Sequence, residues 1–206
     1  MKIFHDSAPC LLHLLLLAEL FVLSSSRPAH SLSLCSFFGS MIHQVDKLIN
    51  SSKKLHGLMD GELTNFEGVE NQLDGLRHIE HTVEHFRALE VNESLSQLLV
   101  YTQSFRLHID WLKTARENVS LSSRPAEGVS THLLHLSNII KASLQQISEE
   151  VPTSPSPSPS ASLPVVSSAF EALQFSVEIS EKLQVFGRWS KRVLRLLQTQ
   201  SRCPRR

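Results

Sequence analysis

The sequence predicts an all-α fold: an up-up-down-down long-chain four-helix bundle with two long crossover loops. Three observations lead there. Apolar residues recur at alternating three- and four-residue steps in four separate stretches. Glycine is scarce, at 7 of 206 residues, and β-branched runs are few, which favours helix. The connections are also unequal, with one short turn flanked by two loops long enough to run the length of a bundle. An up-down-up-down bundle needs no such loops.

The chain opens with Lys2 and an apolar stretch from Leu11 to Leu23, broken by His13 and Glu19. Ser24 and Ser26 then occupy the −3 and −1 positions of a cut after Ser26. This predicts a secretory signal over 1–26 and one domain over 27–206. The stretch is short for a membrane span and nothing downstream is long enough, so a soluble, extracellular, monomeric protein without membrane insertion is expected. Cys10 leaves with the signal, and Cys35 and Cys203 remain as an even pair in an oxidising compartment. Sequons at Asn50, Asn92 and Asn118 agree with that route and are the expected glycosylation positions. Charge is balanced, with 20 Lys+Arg against 20 Asp+Glu, so no overall field favours nucleic acid.

The first helix is predicted over 33–56, with Leu34, Phe38, Met41, Val45, Leu48 and Leu55 on one stripe and Asn50 opposite. The second covers 93–117, with Leu95, Leu98, Leu99, Phe105, Ile109 and Leu112 inward. A third spans 129–148, turning Leu133, Leu136, Ile140, Leu144 and Ile147 inward, and the fourth spans 167–200 with Ile179, Leu183, Phe186, Val193 and Leu197 inward. The segment NVSLSSRPAEG between the second and third is short and turn-rich, so those helices are antiparallel neighbours. The Pro/Ser-rich crossover 151–164 favours extended polyproline geometry, at about 3.1 Å per residue. The first crossover is also long enough to traverse the bundle. In this topology the start of the first helix and the end of the fourth meet at one end, which brings Cys35 and Cys203 near each other. A frayed tail with Cys203 free is the alternative.

The first crossover contains HTVEH (81–85), which fits the inverted zinc-peptidase signature H-x-x-E-H. Val69, Leu73, Leu76, Val83 and Phe86 keep helical spacing around it, so a short extra helix is expected, with His81 and His85 on one face. A catalytic zinc also needs a third ligand, an open position and a cleft. Four core helices offer no framework for them, and a solvated His- and Glu-rich loop helix is the plainer reading. No enzyme activity, metal or cofactor is expected.

LLVYTQSFRLHIDWLKTA (98–115) and SSAFEALQFSVEISEKLQVFGRWSKRVLRLL (167–197) resemble the second and fourth helices of the interleukin-11 family. The Ser-Ser-Ala-aromatic start and the later Trp with Arg three residues on keep their spacing. NQLDGL (71–76) resembles the Leu-Asp-x-Leu of that family's first crossover. The sequons and the cysteine pair depart from the family's mammalian members. The resemblance implies a cytokine that binds a specific α-receptor and recruits the signal-transducing glycoprotein-130-type receptor, activating kinases inside the cell. It implies an α-receptor surface at the end of the fourth helix and of the first crossover: Arg188, Trp189, Arg192, Arg195, Leu73, Asp74 and Leu76. It also implies a signal-receptor surface where Phe170 occupies the family's aromatic position. Other classes stay open: another interleukin-6-family cytokine of the ciliary neurotrophic or leukemia-inhibitory type, or a secreted amphipathic-helix lipid carrier. Narrow apolar stripes without Lys-rich flanks argue against the lipid carrier.

Rotation by 100° per residue gives an independent view of these positions. Arg188, Arg192 and Arg195 project opposite the inward stripe. A solvated basic stripe complementing the helix dipole is the alternative to an interface. Trp189 lies about 80° from the stripe centre, where it is part core and part surface. Trp111 is expected to pack under the first crossover. Phe170, Leu173 and Val177 point away from the core stripe, as an exposed binding surface does, unless the helix enters with a shifted register. A second receptor surface is expected on the outward faces of the first and third helices, where His132, His135, Lys141 and Gln145 are candidates that no spacing singles out.

Overall fold

The computed structural model describes residues 29–58, 60–63, 66, 73, 76, 79, 86, 89–147 and 163–204. Among these, four long helices form the core: α1 (Ala29–Ser52), α2 (Val91–Asn118), α3 (Arg124–Ile147) and α4 (Ala169–Gln200). A single helical turn, Asp60–Leu63, lies in the first crossover. The signal stretch, HTVEH and most of the Pro/Ser-rich crossover lie outside the described residues.

Contacts between helices give their directions. Between α1 and α4, Asp46 pairs with Lys191 and the Ser52 carbonyl accepts from Ser180 Oγ, and Cys35 is bonded to Cys203 just beyond the end of α4. Numbers rise on one helix as they fall on the other, so the two are antiparallel. Ser33 with Gln146 and Gln44 with His132 give the same relation for α1 and α3. Asp110 with Ser130 and Lys113 with Glu127 do so for α2 and α3. Tyr101 with Trp189, and Trp111 with Phe175, do so for α2 and α4. Helices α1 and α2 therefore run one way, and α3 and α4 the other. The bundle is up-up-down-down.

The apolar stripes fill the centre. Phe38, Met41, Val45, Leu48, Leu95, Leu98, Ile109, Leu112, Leu133, Leu136, Ile179, Leu183 and Phe186 are fully buried. Leu55 is buried as well, although α1 stops before it, at Ser52. Ser52 Oγ bonds the Ile49 carbonyl, tight three-residue bonds form at Lys54 and Leu55, and Gly57 turns the chain at φ +72°. This is an ordinary helix exit through a left-handed glycine. Ile147, expected inward, is exposed at the last residue of α3.

Two ends differ more from expectation. Helix α3 begins at Arg124, because RPAEG reads as a turn but serves as a first turn. Pro125 falls where no amide hydrogen is needed, Glu127 faces the positive end of the dipole, and its amide bonds the Ser123 carbonyl. Of the first-crossover stretch where a helix is expected, Phe86 is helical, while Leu73 and Ile79 lack regular structure and Leu76 lies in a bend. The Leu73 amide donates to Glu178 Oε1 at 3.2 Å and its carbonyl accepts from Lys182 Nζ at 3.4 Å. Backbone groups held by α4 are not free for a helical ladder.

Trp111 corrects another expectation. Its Nε1 donates to the Pro164 carbonyl at 3.2 Å and its ring meets Phe175 edge-on at 5.3 Å. Among the described residues, the cover over it is the end of the second crossover, because the chain enters α4 along the outer side of α2. At the α1–α4 contact, a Cβ on Gly187 would fall inside the Ile49 side chain, so only glycine allows that approach.

Candidate interaction surfaces

The C-terminal half of α4 carries a basic face. Arg188, Arg192 and Arg195 are exposed, and Lys191 beside them is held by Asp46 of α1 at 2.6 Å. With Leu196 and Thr199 they line a shallow groove. Arg195 also borders a second groove that runs past Cys35 and His43 to Cys203. The Arg192 guanidinium sits 4.1 Å above the ring centre of Phe86, which is itself buried. A guanidinium stacked this way is restrained while its donors stay free to meet a carboxylate.

Three residues expected on this surface stand elsewhere. Trp189 is 2% exposed, enclosed by Tyr101 edge-on at 5.4 Å and by Phe186 at 6.3 Å. Because α4 is flanked by both α1 and α2, its buried arc is wider than a single stripe, and Trp189 belongs to the core. Leu73 is 5% exposed and is also core, pinned by its backbone to Glu178 and Lys182. Leu76 is half-buried against the core, and Asp74 lies outside the described residues. Phe86, under Arg192, is the first-crossover residue that sequence reasoning missed. Its only signal in the sequence is its place in an apolar period.

The N-terminal end of α4 carries the second surface. Phe170 is 55% exposed and stacks on Phe66 of the first crossover, with ring centres 5.2 Å apart. Val165 is 93% exposed nearby in sequence, while Leu173 and Val177 are half-buried. The exposed feature is thus an aromatic pair rather than an i, i+3, i+7 stripe. A capping box holds this end rigid. Ser168 Oγ accepts the Glu171 amide, and Glu171 Oε2 accepts from the Ser167 amide and hydroxyl. Those bonds from Ser167 hold the Glu171 carboxyl below its usual range. The S-x-x-E spacing of Ser168 and Glu171 is the sequence signal that finds this cap.

The first crossover follows α4 along its length. Phe66 meets Phe170, Leu73 meets Glu178 and Lys182, and Phe86 meets Arg192. Each end of α4 is thus backed by a crossover aromatic. The outward faces of α1 and α3 are less distinctive. His132 is tied into their seam, with Gln44 Nε2 donating to its Nδ1 at 2.9 Å and to its carbonyl at 3.1 Å. His135, Lys141 and Gln145 are exposed, as are Asn50, Asn92 and Asn118. No described helix is long and apolar enough to cross a membrane, and no group of three or more His, Cys, Asp or Glu among the described residues could hold a metal.

An up-up-down-down four-helix bundle with two long crossovers is the arrangement of long-chain helical cytokines. The family model described as Interleukin 11 matches residues 28–201. The chain belongs to the interleukin-11 family, and so is a cytokine of the interleukin-6 type, in a family of signalling ligands rather than enzymes. No curated protein and no solved structure matches it.

Proposed function

We propose that this chain is a secreted cytokine that binds a specific α-receptor through the basic face of α4 and then recruits a glycoprotein-130-type receptor, triggering kinase signalling. Arg188, Arg192 and Arg195 form the α-receptor contact, with Phe86 beneath Arg192. Phe170, flanked by Phe66, contacts the signalling receptor. The observation that carries this reading is the separation of the two faces on one rigid helix. Phe170 and Arg192 are 22 positions apart, about 33 Å at 1.5 Å per residue, too far for one receptor domain to span easily.

Phe170→Ala tests it. Truncating an aromatic anchor in an interface costs about 2–4 kcal/mol, while an exposed ring contributes little to the core. The variant is expected to keep its melting temperature and α-receptor affinity, to fail to signal, and in excess to compete with the wild type. Full signalling would end the assignment. Joint loss of stability, binding and signalling would instead make Phe170 a packing residue.

A further inference from the structure

Charge is balanced over the whole chain but not along it. Residues 182–206 hold 8 of the 20 Lys+Arg and no Asp or Glu. Lys182 is paired with Glu178, and Lys191 with Asp46. Arg188, Arg192, Arg195 and Arg202 are exposed, and no ion pair among the described residues includes them. The helix dipole does not account for them. Its field fades within the last turn, and the last turn of α4 holds no basic residue. A cluster of uncompensated cations makes a local field that a neutral total conceals.

The cations lie along a track. Arg188, Arg192 and Arg195 stand at i, i+4 and i+7, within an arc of about 60° and over about 10 Å of α4. They line one groove with Leu196 and Thr199. Arg195 and Thr199 also line the second groove, between α1 and α4, so the two grooves join. Helix α1 contributes Ser36, Ser40 and His43 to it. Among the described residues, no Asp, Glu, Phe, Tyr or Trp lines either groove. At the far end, the Arg202 amide donates to the Thr199 carbonyl, and the Cys35–Cys203 bond fastens this turn to α1. The backbone of Arg202 is thus held where the track leaves α4. Toward the middle of the helix the track stops, because Glu181, exposed seven residues before Arg188, puts a carboxylate on the same face.

Guanidinium forks and hydroxyls spaced along a line suit oxyanions that repeat along a chain. Single-stranded nucleic acid is gripped by aromatic side chains beside the cations, and a membrane surface by a broad apolar face. These grooves offer neither. We infer that the track binds a linear sulfated polysaccharide, with Arg188, Arg192 and Arg195 each meeting a sulfate or carboxylate and Arg202 extending the contact past the end of α4. The site stands on charge and groove geometry and does not depend on the α-receptor reading. Where the two coincide, at Arg188, Arg192 and Arg195, a bound polysaccharide excludes the receptor.

The test presents the full chain to three immobilised probes: heparin, desulfated heparin, and single-stranded DNA of similar length. Heparin affinity is expected to fall with salt at a log–log slope of about −3, since four contacts release about 0.7–0.9 counterions each. Arg202 sits at φ +51°, so Arg202→Gly removes its charge without straining the turn. That variant should bind heparin about two- to fivefold more weakly, with a slope shallower by about one and α-receptor affinity unchanged. Arg188→Gln, Arg192→Gln and Arg195→Gln together should cost about tenfold or more. Lys113→Gln, on the α2–α3 seam, should cost nothing. Absence of heparin binding at physiological salt overturns the proposal, as does equal binding of desulfated heparin or DNA, or a slope that the arginine variants leave unchanged. Heparin should also compete with a soluble α-receptor. If it binds without competing, the receptor contact lies elsewhere and the polysaccharide site stands. If Arg192→Ala loses the receptor while the wild type ignores heparin, the polysaccharide site alone fails.

Discussion

Phe86 offers a way to ask whether the basic face is an organised recognition surface or a solvated stripe. The Arg192 guanidinium rests 4.1 Å over its ring. Such a contact contributes about 0.5–1 kcal/mol at exposed sites and up to about 2 kcal/mol when desolvated. Holding the side chain in place beforehand also removes about 0.5–1.5 kcal/mol of ordering cost on binding. Phe86→Leu keeps an apolar side chain in the core but removes the aromatic face. It is expected to weaken α-receptor binding about two- to tenfold. Arg192→Ala removes the contact itself and should cost about 1–3 kcal/mol, or about five- to 150-fold. The two effects are expected not to add, because without Arg192 the ring has nothing to organise. Calorimetric titration of the four chains against a soluble α-receptor ectodomain closes the cycle, and thermal melts correct for the small core change at Phe86. Additive losses would refute the reasoning, leaving Phe86 a packing residue and Arg192 an independent contact. No loss from Arg192→Ala in a folded chain would return the whole stripe to solvent.

Three further outcomes follow from the core. Gly187→Ala gains about 1 kcal/mol of helix propensity but forces Ile49 aside at a cost of about 1–3 kcal/mol, so denaturant unfolding should show net destabilisation, partly relieved by Ile49→Ala in the same chain; a more stable single variant would contradict the close approach. Replacing Cys35 and Cys203 by serine opens a loop with a sequence separation of 168, for which chain entropy sets a loss of up to about 5 kcal/mol; an unchanged melting temperature would show that the bridge constrains nothing. Burial, then Lys47 and His135, hold the His132 imidazole below its ordinary value, so its unfolded form takes up a proton first; stability present above about pH 6.5 should decline as pH falls through the lower folded value, and His132→Gln should remove that decline, whereas the bonded Glu171 adds a further loss below about pH 4.5.

Much of the bundle was legible because helical period and loop length are local quantities. Four stripes gave four helices, and the short link between α2 and α3 against two long crossovers gave their directions. The errors occur where one residue type serves two purposes. Pro125 and Gly128 read as a turn although proline is acceptable in a first helical turn, and Leu55 kept the stripe going past the point where Ser52 and Gly57 end α1. Trp189 and Leu73 differ from the sequence expectation for another reason. Their burial is set by Tyr101 on α2 and by Glu178 and Lys182 on α4, partners remote in sequence.

Those remote partners also bear on how one helix would serve the two receptors proposed above. Side chains on the arc of α4 that α1 and α2 leave uncovered have no helix of the bundle to direct them. The first crossover supplies a backing along that arc: Phe66 under Phe170, the Glu178–Lys182 pair gripping Leu73 midway, and Phe86 under Arg192. Glu178 is buried, with half-buried Lys182 2.7 Å away, and its Oε1 accepts the Leu73 amide; removing it leaves that buried donor unsatisfied. Loosening that midpoint, by Glu178→Ala, should therefore release the crossover from α4 and disorder both faces at once. Single-face variants such as Phe170→Ala and Arg192→Ala each disable one, and the difference is measurable as joint against separate loss of α-receptor binding and signalling-receptor recruitment.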